Sequence, residues 1–128
     1  MSHPYHHSES SARKFGGDPE DYLAIHQWFD ESKSSFSDNR HRALRHQAEG
    51  IFLCEQIFGV TMTNSIGKKI PVRSIGEQHV QEDLGWIPSA ADWLKEIRPK
   101  SWMGPRSKLQ PPPDDETAKT SSPNRIKL

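Results

Sequence analysis

At 128 residues, 32% hydrophobic and formally uncharged at pH 7, the chain has room for one domain with a modest core. Its one cysteine, Cys54, excludes an internal disulfide, and no signal peptide, lipidation motif or long apolar run is present. The expectation is a soluble cytoplasmic protein with no membrane partner.

Charge is unevenly spread. From Arg98 onward there are seven basic residues against three acidic ones, while the preceding body carries ten against fourteen. An acidic body argues against nucleic-acid binding by the folded part, and the basic tail would meet polyanions only weakly. The tail ends in PPPDDETAKTSSPNRIKL, too poor in apolar side chains to offset the entropy of ordering. The organisation read from this is a helical domain over 1–103 and a disordered proline-rich tail over 104–128.

The opening SHPYHHSESSARKFGG predicts a short helix with Pro4 in its first turn and Gly16-Gly17 at its end. His3, His6 and His7 resemble a metal-binding tract, but a terminal position favours a frayed surface cluster. In DPEDYLAIHQWFDESK, Asp18 is a good N-cap and Pro19 suits the first position. Tyr22, Ile25, Trp28 and Phe29 form the buried side of this second helix, with His26 at its edge. The short linker SSFSD predicts an antiparallel neighbour.

The stretch from Asp38 to Gly59 then predicts a central helix near 39–58, capped by Asp38 and stopped by Gly59. Ala43, Leu44, Ala48, Ile51, Phe52, Leu53, Cys54, Ile57 and Phe58 cover well over half its circumference, the pattern of a helix packed on several flanks. His41 and His46 point into protein, but about 140° separates them on such a helix, so they cannot share a site unaided. After Gly59 the period changes. VTMT and IPV alternate around NSIGKK, predicting a β-hairpin with strands near 60–63 and 69–72.

Ser74-Ile75-Gly76-Glu77 reads as a capping box opening a helix that Gly85 closes. Ile75, His79, Val80, Asp83 and Leu84 share its inner side, while Glu77, Gln78 and Gln81 face away. A last helix begins at Ser89 and ends near Pro99. The fold class expected is therefore mainly α, four to five helices with one β-hairpin.

Two local patterns carry chemistry. His26 precedes Asp30 by four residues, and His79 precedes Asp83 by four, so each pair lies on one helical face. An imidazole nitrogen with a carboxylate oxygen is half a site for zinc, iron or manganese, and His41 and His46 are the available additions. The second pattern is Arg40, Arg42 and Arg45, crowded at a helix start where backbone amides favour anions. No nucleotide-binding signature, GxSxG elbow, HExxH or cysteine-based zinc motif appears, so no nucleotide cofactor is expected.

The segments FGGDPEDYLAIHQWFDESK, RHRALRHQAEGIFLCEQIFG and IPVRSIGEQHVQEDLGWIPSAADWL resemble a family of small bacterial and phage proteins known only as a domain of unknown function. The resemblance spans residues 1 to about 103. It implies that the tail is an appendage, and it implies no activity.

Two functions fit these residues. One is a metal-binding protein acting as a metal-dependent hydrolase on a phosphate-containing substrate, with the arginines holding the anion. The other is a non-catalytic module whose histidines satisfy core hydrogen bonds and which recruits a protein partner.

Overall fold

The structure, a computed structural model, describes residues 4–104. The stretch expected to be disordered lies beyond them apart from Gly104, and so does His3. Two compact units are present, Met1–Trp93 and Leu94–Leu128.

Pro4, with no amide hydrogen to lose, opens helix α1 (Pro4–Phe15). Its buried residues are His7, Ser8 and Ser11, one face at helical spacing and wholly polar. Pro19–Asp21 forms a 3-10 turn whose Asp21 carboxylate accepts from the Asp18 amide at 2.9 Å. Helix α2 (Leu23–Asp30) follows, and a second 3-10 turn, Glu31–Ser34, continues it. Tyr22, Ile25, Trp28 and Phe29 are buried, as their spacing predicts, and His26 is fully buried rather than marginal.

The expected single helix over 39–58 is broken. Asn39–Leu44 is a 3-10 segment capped by Asp38, Arg45 leaves the helical region, and Gln47 is extended at φ −156°, ψ 173°. Helix α3 proper is Ala48–Phe58. One local and one tertiary contact hold the break. The Gln47 side-chain nitrogen Nε2 donates to the Ala43 carbonyl at 2.7 Å, and the Trp93 indole donates to the His46 carbonyl at 3.0 Å. Gly50 lies so close to the Arg45 carbonyl that any Cβ would overlap it. The broad apolar face predicts burial on several flanks, yet Phe52, Leu53 and Ile57 are exposed; Ile51 and Cys54 enter the core and Phe58 packs against it.

Strands β1 (Thr61–Thr63) and β2 (Lys69–Pro71) pair antiparallel, with Met62 opposite Ile70. The hairpin is tied down where Asn64 donates to the Tyr22 hydroxyl at 3.2 Å, which itself donates to the Gly16 carbonyl at 2.6 Å. Helix α4 (Val72–Leu84) starts directly after Pro71, so Ser74 lies inside it and the expected capping box does not open it. Gly85, left-handed at φ +84°, ends it as expected. The last helix, α5 (Ala90–Leu94), is shorter than its sequence signals suggest.

The apolar core joins Tyr22, Ile25, Trp28 and Phe29 of the second helical segment to Ile51, Cys54, Ile70, Val72, Ile75 and Val80. Five α-helices and one two-stranded hairpin among the described residues make the fold mainly α. No helix among them is long and apolar enough to cross a membrane.

Candidate metal centre

Beside the apolar core lies a second, polar one. His7, His26, His41, His46 and His79 are all at most 1% exposed, and the Asp30 and Asp83 side chains are 5% and 1% exposed. Burying so many ionisable groups is costly unless they partner one another or a cation. Their placement follows from local structure. Asp30 ends α2, His79 and Asp83 lie one turn apart on α4, and His46 is turned inward by the break before α3.

Four donor atoms converge, one each from Asp30, His46, His79 and Asp83, all within 4.8 Å of one another. His46 Nε2 is 2.9 Å from Asp83 Oδ2 and 3.7 Å from Asp30 Oδ1. His79 Nε2 is 3.3 Å from Asp83 Oδ2 and 3.4 Å from Asp30 Oδ1. The outer oxygen of Asp83, Oδ1, is 3.2 Å from His7 Nε2 and 3.7 Å from an Arg42 nitrogen. Both Asp30 oxygens, Asp83 Oδ1, His79 Nε2, His7 Nε2 and His46 Nδ1 make no aligned hydrogen bond within the protein, a concentration of unsatisfied buried atoms that calls for an explanation.

The electrostatics follow from this packing. Burial pushes the Asp83 carboxyl up, but the hydrogen bond from His46 and the close His7 and His79 rings outweigh it and hold the group well below the usual carboxylate range. Asp30 is likewise lowered, burial being overcome by His79 and the charge of His46. Burial lowers His46 despite the nearby acids, and it pushes His26 down to about 2. His7 is raised: burial opposes its charge, but Asp83 and Glu82 together prevail, with Nδ1 2.7 Å from Glu82 Oε1. The acids are therefore ionised and His26 is neutral.

The other expected site residues fall elsewhere. His26 does not join the four; its Nδ1 lies 2.9 Å from His79 Nδ1. His41 is buried with Nδ1 2.9 Å from the Ser32 hydroxyl, its ring 5.8 Å from that of His46. The break in the central helix brings the two rings together despite the angle an unbroken helix would impose. The three arginines take different partners. Arg40 pairs with Asp38 at the surface, Arg45 lies over the Trp28 ring and bonds Glu31, and Arg42 alone approaches the cluster.

The sequence reading missed four residues. His7 is buried at the centre, not frayed at the surface, whereas His6 is exposed. Gln78, expected to face away, is buried, and its side-chain nitrogen donates to the His7 carbonyl at 3.0 Å and to Glu82 Oε2 at 3.2 Å. Ser11 and Glu82 complete this layer. The available signal was α1 itself: a helix with no apolar stripe must, if it docks at all, bury polar groups that have partners waiting.

The family model described as Domain of unknown function (DUF6915) matches residues 2–103. The chain belongs to this family. The DUF6915 segment contains the whole cluster from His7 to Asp83. No curated protein and no solved structure matches the chain significantly.

Proposed function

We propose that this protein binds a divalent cation through Asp30, His46, His79 and Asp83. One observation carries the reading: the four donor atoms converge from three separate segments within 4.8 Å of one another, with imidazole–carboxylate separations of 2.9, 3.3, 3.4 and 3.7 Å. Ligands about 2.0–2.1 Å from a tetrahedral ion stand about 3.3–3.4 Å apart, close to the centre of that range. Two imidazoles and two carboxylates suit zinc, iron or manganese. Two ionised carboxylates in one buried site also favour a cation strongly.

The test is elemental analysis of the full chain purified without a histidine tag. One equivalent of metal, lost on His79→Ala, is expected; a wild-type protein that takes up no zinc, iron or manganese would refute the centre.

The finer reading is a metal-dependent hydrolase of a phosphate-containing substrate. It is favoured by the Arg42 guanidinium, buried and beside the outer oxygen of Asp83, where it would hold an anion. A bound cation would supply Lewis acidity and a water activated at neutral pH. His7, raised by Asp83 and Glu82, would take up a proton beside the same oxygen more readily than a free imidazole. Metal-dependent release of phosphate from a nucleotide or aryl phosphate, abolished by EDTA and by Arg42→Ala, is the expected result. The competing reading, a non-catalytic module, is favoured by the closure of the site, since structural metal sites are shut and catalytic ones keep an open position. Full metal loading with no hydrolysis across such a panel would establish the module.

A further inference from the structure

We infer that Gln78, Ser11 and His26 form a hydrogen-bonded relay that fixes which nitrogen of His79 is left to face Asp30 and Asp83. The inference rests on the metal centre proposed above and assigns positioning roles to three residues outside it.

Each step of the relay is forced by what the groups can donate and accept. The Gln78 side chain meets the His7 backbone carbonyl at 3.0 Å and a Glu82 carboxylate oxygen at 3.2 Å. Both are acceptors only, so the amide nitrogen must be the atom that faces them. Its oxygen therefore faces Ser11, whose hydroxyl donates to it at 2.7 Å. That hydroxyl has one hydrogen and has used it. Ser11 Oγ can meet His26 Nε2, 2.8 Å away, only as an acceptor, so Nε2 carries a proton. His26 is fully buried and no carboxylate bonds to it, so it is held neutral and its Nδ1 is a bare lone pair. His79 Nδ1 lies 2.9 Å from that lone pair and must donate its own hydrogen to it.

The consequence sits at the other end of the ring. With its Nδ1 hydrogen committed to His26, His79 has only Nε2 left to face Asp30 Oδ1 and Asp83 Oδ2, and in the neutral ring that nitrogen is a lone pair. A lone pair facing two carboxylates is repulsive unless a cation lies between them. Metal-bound histidines take this form, the far nitrogen donating to a group that sets the tautomer and the ring orientation. Here the acceptor is another histidine, itself oriented through Ser11 and Gln78 from the backbone of α1. His26, which by sequence is a ligand candidate, is a positioning residue.

The test uses the full chain, labelled with nitrogen-15, with zinc as the probe. Long-range proton–nitrogen correlations on the histidine rings report which nitrogens carry hydrogen. The relay requires a proton on His26 Nε2, none on His26 Nδ1, and a proton on His79 Nδ1, with or without zinc. Zinc affinity is then compared in the wild type and Ser11→Ala, with folding checked by circular dichroism. A loss of about 10–100-fold is expected, the usual cost of removing such a supporting bond. Protonation of His26 Nδ1, or a folded Ser11→Ala protein with wild-type zinc affinity, would overturn the relay. If Ser11→Ala does not fold, the ring tautomers of the wild type decide. Failure of the wild type to bind zinc instead defeats the centre, and the ring protonation still shows whether the hydrogen-bonded chain exists.

Discussion

His46 and Asp83 stand 37 residues apart in sequence and 2.9 Å apart in space, Nε2 to Oδ2. The aspartate also meets His7 and His79, so one carboxylate links α1, the break before α3, and α4. Asp83→Ala should therefore be among the most damaging single changes in the molecule. Removing one partner of a buried ionic pair costs about 3–5 kcal/mol, and here three imidazoles lose theirs. Urea denaturation of metal-free protein checks this; a loss under about 1 kcal/mol, the level of an exposed pair, would mean the cluster contributes little.

Thermal melts of wild type and His79→Ala, each with and without EDTA, separate a ligand from a core histidine. Binding to the folded state alone raises the midpoint by mass action. The expected pattern is a wild type that loses midpoint on chelation and a mutant that EDTA leaves unchanged. A wild-type midpoint that stays still on stripping counts against the metal. In that case His79→Ala should cost about 1–3 kcal/mol from lost packing and unsatisfied neighbours.

Gly50→Ala tests the break itself. The added methyl would overlap the Arg45 carbonyl, and backbone cannot step aside as a side chain can. Overpacking of this kind costs about 1–3 kcal/mol, and the displaced segment carries His46. Stability and metal uptake should fall together, measured by melting and zinc titration; unchanged zinc affinity would show that His46 is placed by other means.

Asp21 supplies a pH dependence remote from the cluster. The Ser65 backbone amide and then the Asp18 amide hold its carboxyl below the ordinary range, and the Ser65 hydroxyl bonds it at 2.8 Å. A folded-state pKa below the unfolded one adds stability at pH above the ordinary carboxylate value. That increment is lost as pH falls through the lower, folded value. The stability gap between wild type and Asp21→Ala should be full at pH 6 and narrow steadily towards pH 2. A gap independent of pH would assign the effect to packing.

Cys54 is fully buried, and burial pushes its thiol up to about 12. The thiolate is the reactive form, so iodoacetamide should leave the native protein unmodified at pH 8 and label it promptly in urea. Fast labelling of native protein, read by mass spectrometry, would place Cys54 at an accessible surface instead.

Much of the frame was legible in the sequence because it rests on local rules. Pro4, the hairpin around NSIGKK and the stop at Gly85 follow from backbone preferences, and the inner side of α2 follows from spacing. The break at Arg45–Gln47 was not legible, because nothing in RHRALRHQAEG forbids a helix; the departure is set by tertiary contacts to Trp93 and Trp28. Histidine–aspartate spacing on single helices indicated Asp30, His79 and Asp83, whereas the roles of His26, Ser11 and Gln78 depend on which helix faces which. The terminal position of His7 pointed the wrong way, since a chain end is frayed only when nothing ties it down.

The polar core draws on residues from His7 to Asp83, nearly the whole of the first unit. During synthesis, at about 5–20 residues per second, α1 emerges first and meets α2 early, but it waits for α4 before its polar face is complete. Until α4 has left the ribosome, His7 lacks Glu82 and Asp83, Ser11 lacks Gln78, and His26 lacks His79. The cluster is thus a late event in the life of the chain, a seal on a completed fold rather than a nucleus for it. A nascent chain halted before Asp83 would expose the histidines of α1 and α2 to water, free to protonate and open to any metal in the surroundings.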